Sequence, residues 1–160
     1  MVTRAAFPRR YLLEYALLAA IALSALILGV QWPIEDWPTA SAPSGQFSLW
    51  FILGSNLLLI LCIALGSALT GGFVGGCVIF ENLFVYGRVL HLYWHDSPLA
   101  AIFPWFEFSA LIIATQVGLD LFWSLLRGWP IHRKTVYLLL FVCLFLLMAA
   151  AIIEGGMLHV

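Results

Sequence analysis

The chain alternates long apolar runs with short stretches rich in turn-forming and charged residues. Tyr11 to Val30 is the first run, about the 20 residues that an α-helix needs to cross a hydrocarbon core. Arg4, Arg9 and Arg10 precede it, and a Trp-, Pro- and acid-containing loop, Gln31 to Gln46, follows. Ala40-Ser41-Ala42 has the form of a signal-peptide cleavage site, but the run is longer than a signal h-region and Pro43 follows. The segment therefore reads as a retained anchor helix. Phe47 to Leu69 is a second run and Phe73 to Tyr93 a third. Gly71-Gly72 between them disfavours helix continuation, which predicts a tight hairpin.

His95-Asp96-Ser97-Pro98 is a turn signal, with Ser97 suited to an N-cap and Pro98 to the first helical position. Leu99 to Leu126 is too long for one untilted span, and Pro104 interrupts it. The expectation is an interfacial segment, Leu99 to Phe103, then a crossing from Pro104 to Ser124. A basic loop, Arg127 to Lys134, leads to the last run, Val136 to Glu154. The pattern thus predicts an all-α fold: a polytopic transmembrane bundle of five spanning helices (11–30, 47–69, 73–93, 104–124 and 136–154) in a single membrane domain, 1–160.

Composition agrees with the pattern. With 64% hydrophobic and 9% charged residues and a mean hydropathy of +1.05, the chain falls far from soluble domains, where about a quarter of residues are charged. The net charge of −1 conceals a segregation by position. Six of the seven basic residues lie in two clusters, before the first run and after the fourth. Five spans put both clusters on one side, and basic residues accumulate on the cytoplasmic side of short loops. The amino terminus is therefore expected to be cytoplasmic and the carboxy terminus exoplasmic, in the cell membrane. Trp32, Trp37, Trp50, Trp94 and Trp105 would then form an aromatic belt on the outer side, with Glu35, Asp36 and Asp96 beyond it. Cys62, Cys77 and Cys143 are isolated within apolar runs and form no C-x-x-C, which argues against a disulfide framework or zinc site.

Candidate chemistry is confined to polar residues within the spans. Glu81 and Asn82 fall in the middle of the third run, where ionisable groups are rare and commonly functional. Arg88 lies on nearly the same helical face as Glu81, about 10 Å along the axis, too far for a direct pair. It can snorkel toward the interface or meet Glu107 of the fourth run. Glu107 would occupy a first helical turn if that helix began at Pro104, where an acid complements the helix dipole. Asp120 reads as interfacial, with Arg127 two turns away. Gly71 and Gly75, and in register Gly72 and Gly76, repeat at the four-residue spacing that lets membrane helices approach closely. That ridge suits either a homodimer or partner-subunit seam, or packing within the chain. His91 and His95, at i and i+4, offer the nearest approach to a metal or tetrapyrrole ligand set, but two nitrogens fall short of a zinc site, so no metal or cofactor is expected. No nucleophile motif, phosphate loop or nucleic-acid patch is present, which points away from an enzyme and from nucleic-acid partners.

From Asn56 onward the chain resembles the stage II sporulation protein M family of polytopic membrane proteins. The residues that carry this are Asn56, the glycines Gly66 to Gly76, Asn82 with Gly87, Glu107 with Ala110 and Gly118, and Ile153-Glu154. Leu83 and Ile102-Phe103-Pro104 depart from the family pattern, and the latter removes its histidine. The resemblance implies a non-enzymatic membrane subunit that works with protein partners. The expected function is accordingly a scaffold or accessory subunit of a larger membrane complex. The alternative is a transporter or channel component in which Glu81, with Asn82 and Asn56, lines a polar path.

Overall fold

Each apolar run forms one α-helix in the structure, a computed structural model that describes residues 9–33, 49–96, 103–128, 131 and 133–157. The helices are α1 (Arg9–Gln31), α2 (Leu49–Thr70), α3 (Phe73–Asp96), α4 (Phe103–Arg127) and α5 (Arg133–Met157). All five are long and apolar enough to cross a membrane. Even the shortest, α2 with 22 residues, is about 33 Å long at 1.5 Å per residue, enough for a hydrocarbon core of about 30 Å. Their outward faces carry large apolar side chains, among them Leu58, Leu61, Leu65 and Leu69 of α2 and Phe141, Phe145, Met148 and Ile152 of α5. A soluble monomer rarely exposes so much contiguous apolar surface. Lipid is the solvent for these faces.

The bundle is built around α4, which among the described residues is the one helix in contact with all four others. Small residues make this possible. Ala110 and Ala114 are completely or almost completely buried, and Gly118 lies against the backbone of α2 at Ala64 and Ala68. The core joins Ala22 and Ala25 of α1, Ile60 and Ile63 of α2, Ile79 and Leu83 of α3, Leu111 of α4, and Cys143 and Leu147 of α5. On one flank α1 packs chiefly on α3, and on the other α5 packs on α4 and α2. The tightest contact is between α1 and α3, where Gly29 and Gly87 bring the two backbones together. In lipid, where burial alone gives no drive for association, such close approach supplies the dispersion contacts that hold helices together.

The α2–α3 hairpin is as tight as the glycine pair implies. Gly71 and Gly72 have φ of +64° and +86°, and the Gly72 amide donates to the Ser67 carbonyl at 2.9 Å. This is the 6→1 bond of a Schellman motif, with Gly71 in the left-handed position that a side chain resists. The Gly72 carbonyl then accepts the first bond of α3 from Gly76 at 2.9 Å. The Thr70 hydroxyl accepts the Val74 amide at 3.2 Å, satisfying an otherwise orphaned donor. Gly71→Ala is expected to cost about 1–2 kcal/mol from the left-handed backbone alone. The Phe122 ring, 3.2 Å from the added carbon, raises that further. The measurement is a lowered SDS unfolding midpoint followed by circular dichroism.

Helix ends differ from expectation in three places. α3 continues through His95 and Asp96, so these two residues of the predicted turn are helical, while Ser97 and Pro98 lie outside the described residues. α4 starts at Phe103 rather than Pro104 and has no acid in its first turn, so Glu107 lies beyond the dipole-favoured position. Arg127 ends α4, while Arg133 and Lys134 open α5; the basic cluster therefore sits on helix ends instead of in a loop. Gly128, at φ +64°, closes α4 by returning its amide to Ser124 at 2.9 Å. Loop residues 34–48 and 97–102, with Glu35, Asp36, Trp37 and the Leu99 to Phe103 segment up to residue 102, lie outside the described residues. So do the side chains of His91, Trp94, His95, Asp96 and Glu154.

Candidate functional site

Three helices bring Asn56, Glu81, Asn82 and Glu107 to one region. Asn56 lies two turns into α2 and Glu107 one turn into α4. These helices run alongside each other, so the Asn56 Nδ2 donates to the Glu107 Oε1 at 2.8 Å. Glu107 shares a cleft of about 550 Å³ with Glu81, Asn82 and Tyr86 of α3. Leu59, Val78 and Phe108 supply apolar walls. Tyr86, Trp105 and Phe108 meet edge to face, with centroids 5.2 to 6.2 Å apart, and fix one side of the cleft. Asn82 satisfies its amide by donating to the Val78 carbonyl at 2.8 Å on its own helix. Glu81 is exposed and has no hydrogen-bond or ion-pair partner among the described residues. It lies about 12 Å along α3 from Phe73, well inside the hydrocarbon depth.

Arg88 does not join this group. Its Nε donates to the Trp32 carbonyl at 2.9 Å, and its guanidinium lies 5.8 Å over the Phe84 ring. The side chain thus ties α3 to the end of α1, where the last carbonyls have no intrahelical donor. The glycine ridge faces inward. A Cβ on Gly75 would collide with the hydroxyls of Thr115 and Ser67, one on Gly72 would press on Leu119, and one on Gly76 would reach Ile21 at 3.8 Å. These glycines serve contacts between helices of the same chain.

A second polar cluster joins α1 to α4 near the opposite end of the bundle. Gln116, completely buried, donates from Nε2 to the Glu14 Oε2 at 2.5 Å. Its Oε1 and the Ser67 Oγ are buried without a hydrogen-bond partner among the described residues. Asp120 is buried one turn further along, and the Arg127 guanidinium lies 4.5 Å over the Trp123 ring. Thr115 bonds its own helix at the Leu111 carbonyl, 2.9 Å away. Glu14 and Gln116 do not figure among the candidates read from sequence. The available signal was Glu14 as a lone acid inside the first apolar run, and Gln116 with Asp120 at i, i+4 on one face. Cys62, Cys77 and Cys143 are free thiols, and Cys143 packs its sulfur 3.6 Å from the Ala110 carbonyl.

Five apolar helices around a shared core, with two polar clusters at different depths, define a multi-pass α-helical membrane protein. No family model, curated protein or solved structure matches the chain. Its function is therefore argued from its own side chains.

Proposed function

We propose that the protein is a non-catalytic accessory subunit of a complex in the cell membrane, and that its α2–α3–α4 cleft receives a transmembrane helix of a partner subunit. The observation that carries this is the Glu81 carboxyl, exposed at mid-span beside Asn82 and Glu107. Facing lipid, an acid at that depth costs about 2.5–3.5 kcal/mol on insertion scales. A partner helix presenting a hydrogen-bond donor or a basic side chain removes that cost and explains why the carboxyl is tolerated. The glycine ridge is occupied within the chain, which leaves the polar cleft as the assembly surface. The resemblance of Asn56 and the residues after it to the stage II sporulation protein M family agrees with a subunit role. The basic clusters before α1 and around the α4–α5 connection support an amino terminus on the cytoplasmic side.

A photoreactive residue at Val85, which lines the cleft, tests this in native membranes. It is expected to give one stoichiometric protein adduct that disappears with Glu81→Leu, while the same probe at Phe141 on the outer face of α5 labels lipid. Lipid adducts alone at Val85, or an adduct indifferent to Glu81→Leu, would overturn the assignment. A second reading is supported by the Asn56–Glu107 bond, which gives the same cleft a polar wall suited to passing protons or a small solute. Glu81→Gln would then abolish flux in proteoliposomes of the purified chain. Absence of flux in the parent protein rejects that alternative.

A further inference from the structure

The α2–α3–α4 cleft carries acid without a matching base. The carboxyls of Glu81 and Glu107 line it, and no Lys, Arg or His does so among the described residues. The neighbouring amides do not redress this, because each already donates within the chain. Asn56 donates to Glu107, and Asn82 donates to the Val78 carbonyl of its own helix. Glu81 is the carboxyl left for an incoming group: it is exposed and, unlike Glu107, has no hydrogen-bond or ion-pair partner among the described residues. Val85, one turn further along the same face, is exposed in the same cleft. A helix seated against Val85 therefore passes over the Glu81 carboxyl.

A second copy of this chain has no free cation to place there. Six of its seven Lys and Arg residues lie at or before the start of α1 or around the α4–α5 connection. Arg88, the one basic residue deep in a span, is about 10 Å farther along α3 than Glu81 and is bonded to the Trp32 carbonyl. Of the four histidines, His91 and His95 lie beyond Arg88, and His132 and His159 lie outside the spans. Copies of one chain insert the same way round and so share depth. Glu81 of one copy would meet only uncharged side chains of the next.

Resting on the reading that this cleft seats a partner helix, we propose that the partner is a different polypeptide whose transmembrane helix carries a Lys or Arg at the depth of Glu81. Charge complementarity carries the choice. A basic side chain alone at mid-bilayer is penalised on insertion, as a carboxyl is. Pairing relieves both penalties at one contact, and a charge-assisted hydrogen bond is about twice as strong as the bond a neutral donor makes. Leu59, Val78 and Phe108 on the walls cover the aliphatic stem that brings such a charge into the cleft.

The test uses the full chain in proteoliposomes, with a photoreactive residue at Val85, and synthetic Leu/Ala helices of about 22 residues that differ only in having Lys, Gln or Leu at the midpoint. The Lys helix is expected to give about tenfold more adduct than the Leu helix at equal concentration, the margin that one charge-assisted hydrogen bond supplies, with the Gln helix between them. Glu81→Gln, at an exposed position, should remove the margin while helix content by circular dichroism is unchanged. Equal labelling by the Lys and Leu helices overturns the proposal, as does a preference for Lys that survives Glu81→Gln. Sequencing the Val85 adduct formed in native membranes separates this inference from the reading beneath it. A partner span with Lys or Arg within one helical turn of the crosslink is the expected result. An adduct to a span lacking both, or to a second copy of this chain, overturns the inference and leaves the cleft a helix-seating site. Absence of any protein adduct overturns both.

Discussion

Gly87→Leu is expected to separate α1 from α3 and lower stability by about 3 kcal/mol or more, the upper range for overpacking a close contact. A Cβ on Gly87 would lie 2.6 Å from the Leu26 carbonyl oxygen and 3.0 Å from the Gly29 Cα. Both obstacles are backbone, so no change of rotamer relieves them. The whole of α1 must move, and with it the Arg88 bond to Trp32. SDS unfolding followed by circular dichroism gives the loss directly. Gly54→Leu is the matching control, because the space beside Gly54 is open within 4 Å; its effect should stay within about 0.5 kcal/mol. Equal effects at the two positions would refute the assignment of Gly87 to a backbone contact.

The second large effect is expected at Asn56. Asn56→Leu removes the interhelical donor to the part-buried Glu107 carboxyl, and a typical intramolecular hydrogen bond contributes about 0.5–1.5 kcal/mol. Interhelical hydrogen bonds in membranes average about 0.6 kcal/mol and reach about 1.7 by double-mutant cycles. The coupling expected between Asn56→Leu and Glu107→Leu lies in that window. The double variant should therefore be more stable than the sum of the two single losses predicts. Strict additivity would show that the bond contributes nothing to holding α2 against α4.

These two predictions draw on different depths of information. The five helices were legible because a run of about 20 predominantly apolar residues has one meaning even when it carries one or two charges, as the first, third and fourth runs do. The Gly71–Gly72 turn was legible for a similarly local reason, since only the backbone freedom of glycine decides it. The ends of α3 and α4 were less so, because Pro98 and Pro104 each suit more than one position around a helix start. The spacing of Gly71, Gly72, Gly75 and Gly76 announced close packing but could not name Thr115, Ser67 and Leu119 as the neighbours. Those contacts depend on how whole helices cross. Asn56, Glu81, Asn82 and Glu107 were visible as polar residues at depth, and their meeting around one cleft required three helices to be placed. Arg88 was assigned to that group from helical periodicity, which fixes a face and says nothing about which helix lies opposite. Glu14 was hidden by its proximity to the basic amino-terminal segment, where an acid looks interfacial. Its partner stands 102 positions away, beyond the reach of any local pattern.

That distance along the chain has a consequence for biogenesis. Glu14 waits for Gln116, and Asn56 waits for Glu107, 51 positions later; both partners reside on α4. At elongation rates of about 5–20 residues per second, Glu14 emerges roughly 5–20 s before the amide that receives it. During that interval α1 to α3 can settle on one another through Gly29 and Gly87, while the Glu14–Gln116 and Asn56–Glu107 bonds are still unmade. The entry of α4 is then the step that completes both interhelical bonds at once, because Gln116 and Glu107 arrive on the same helix.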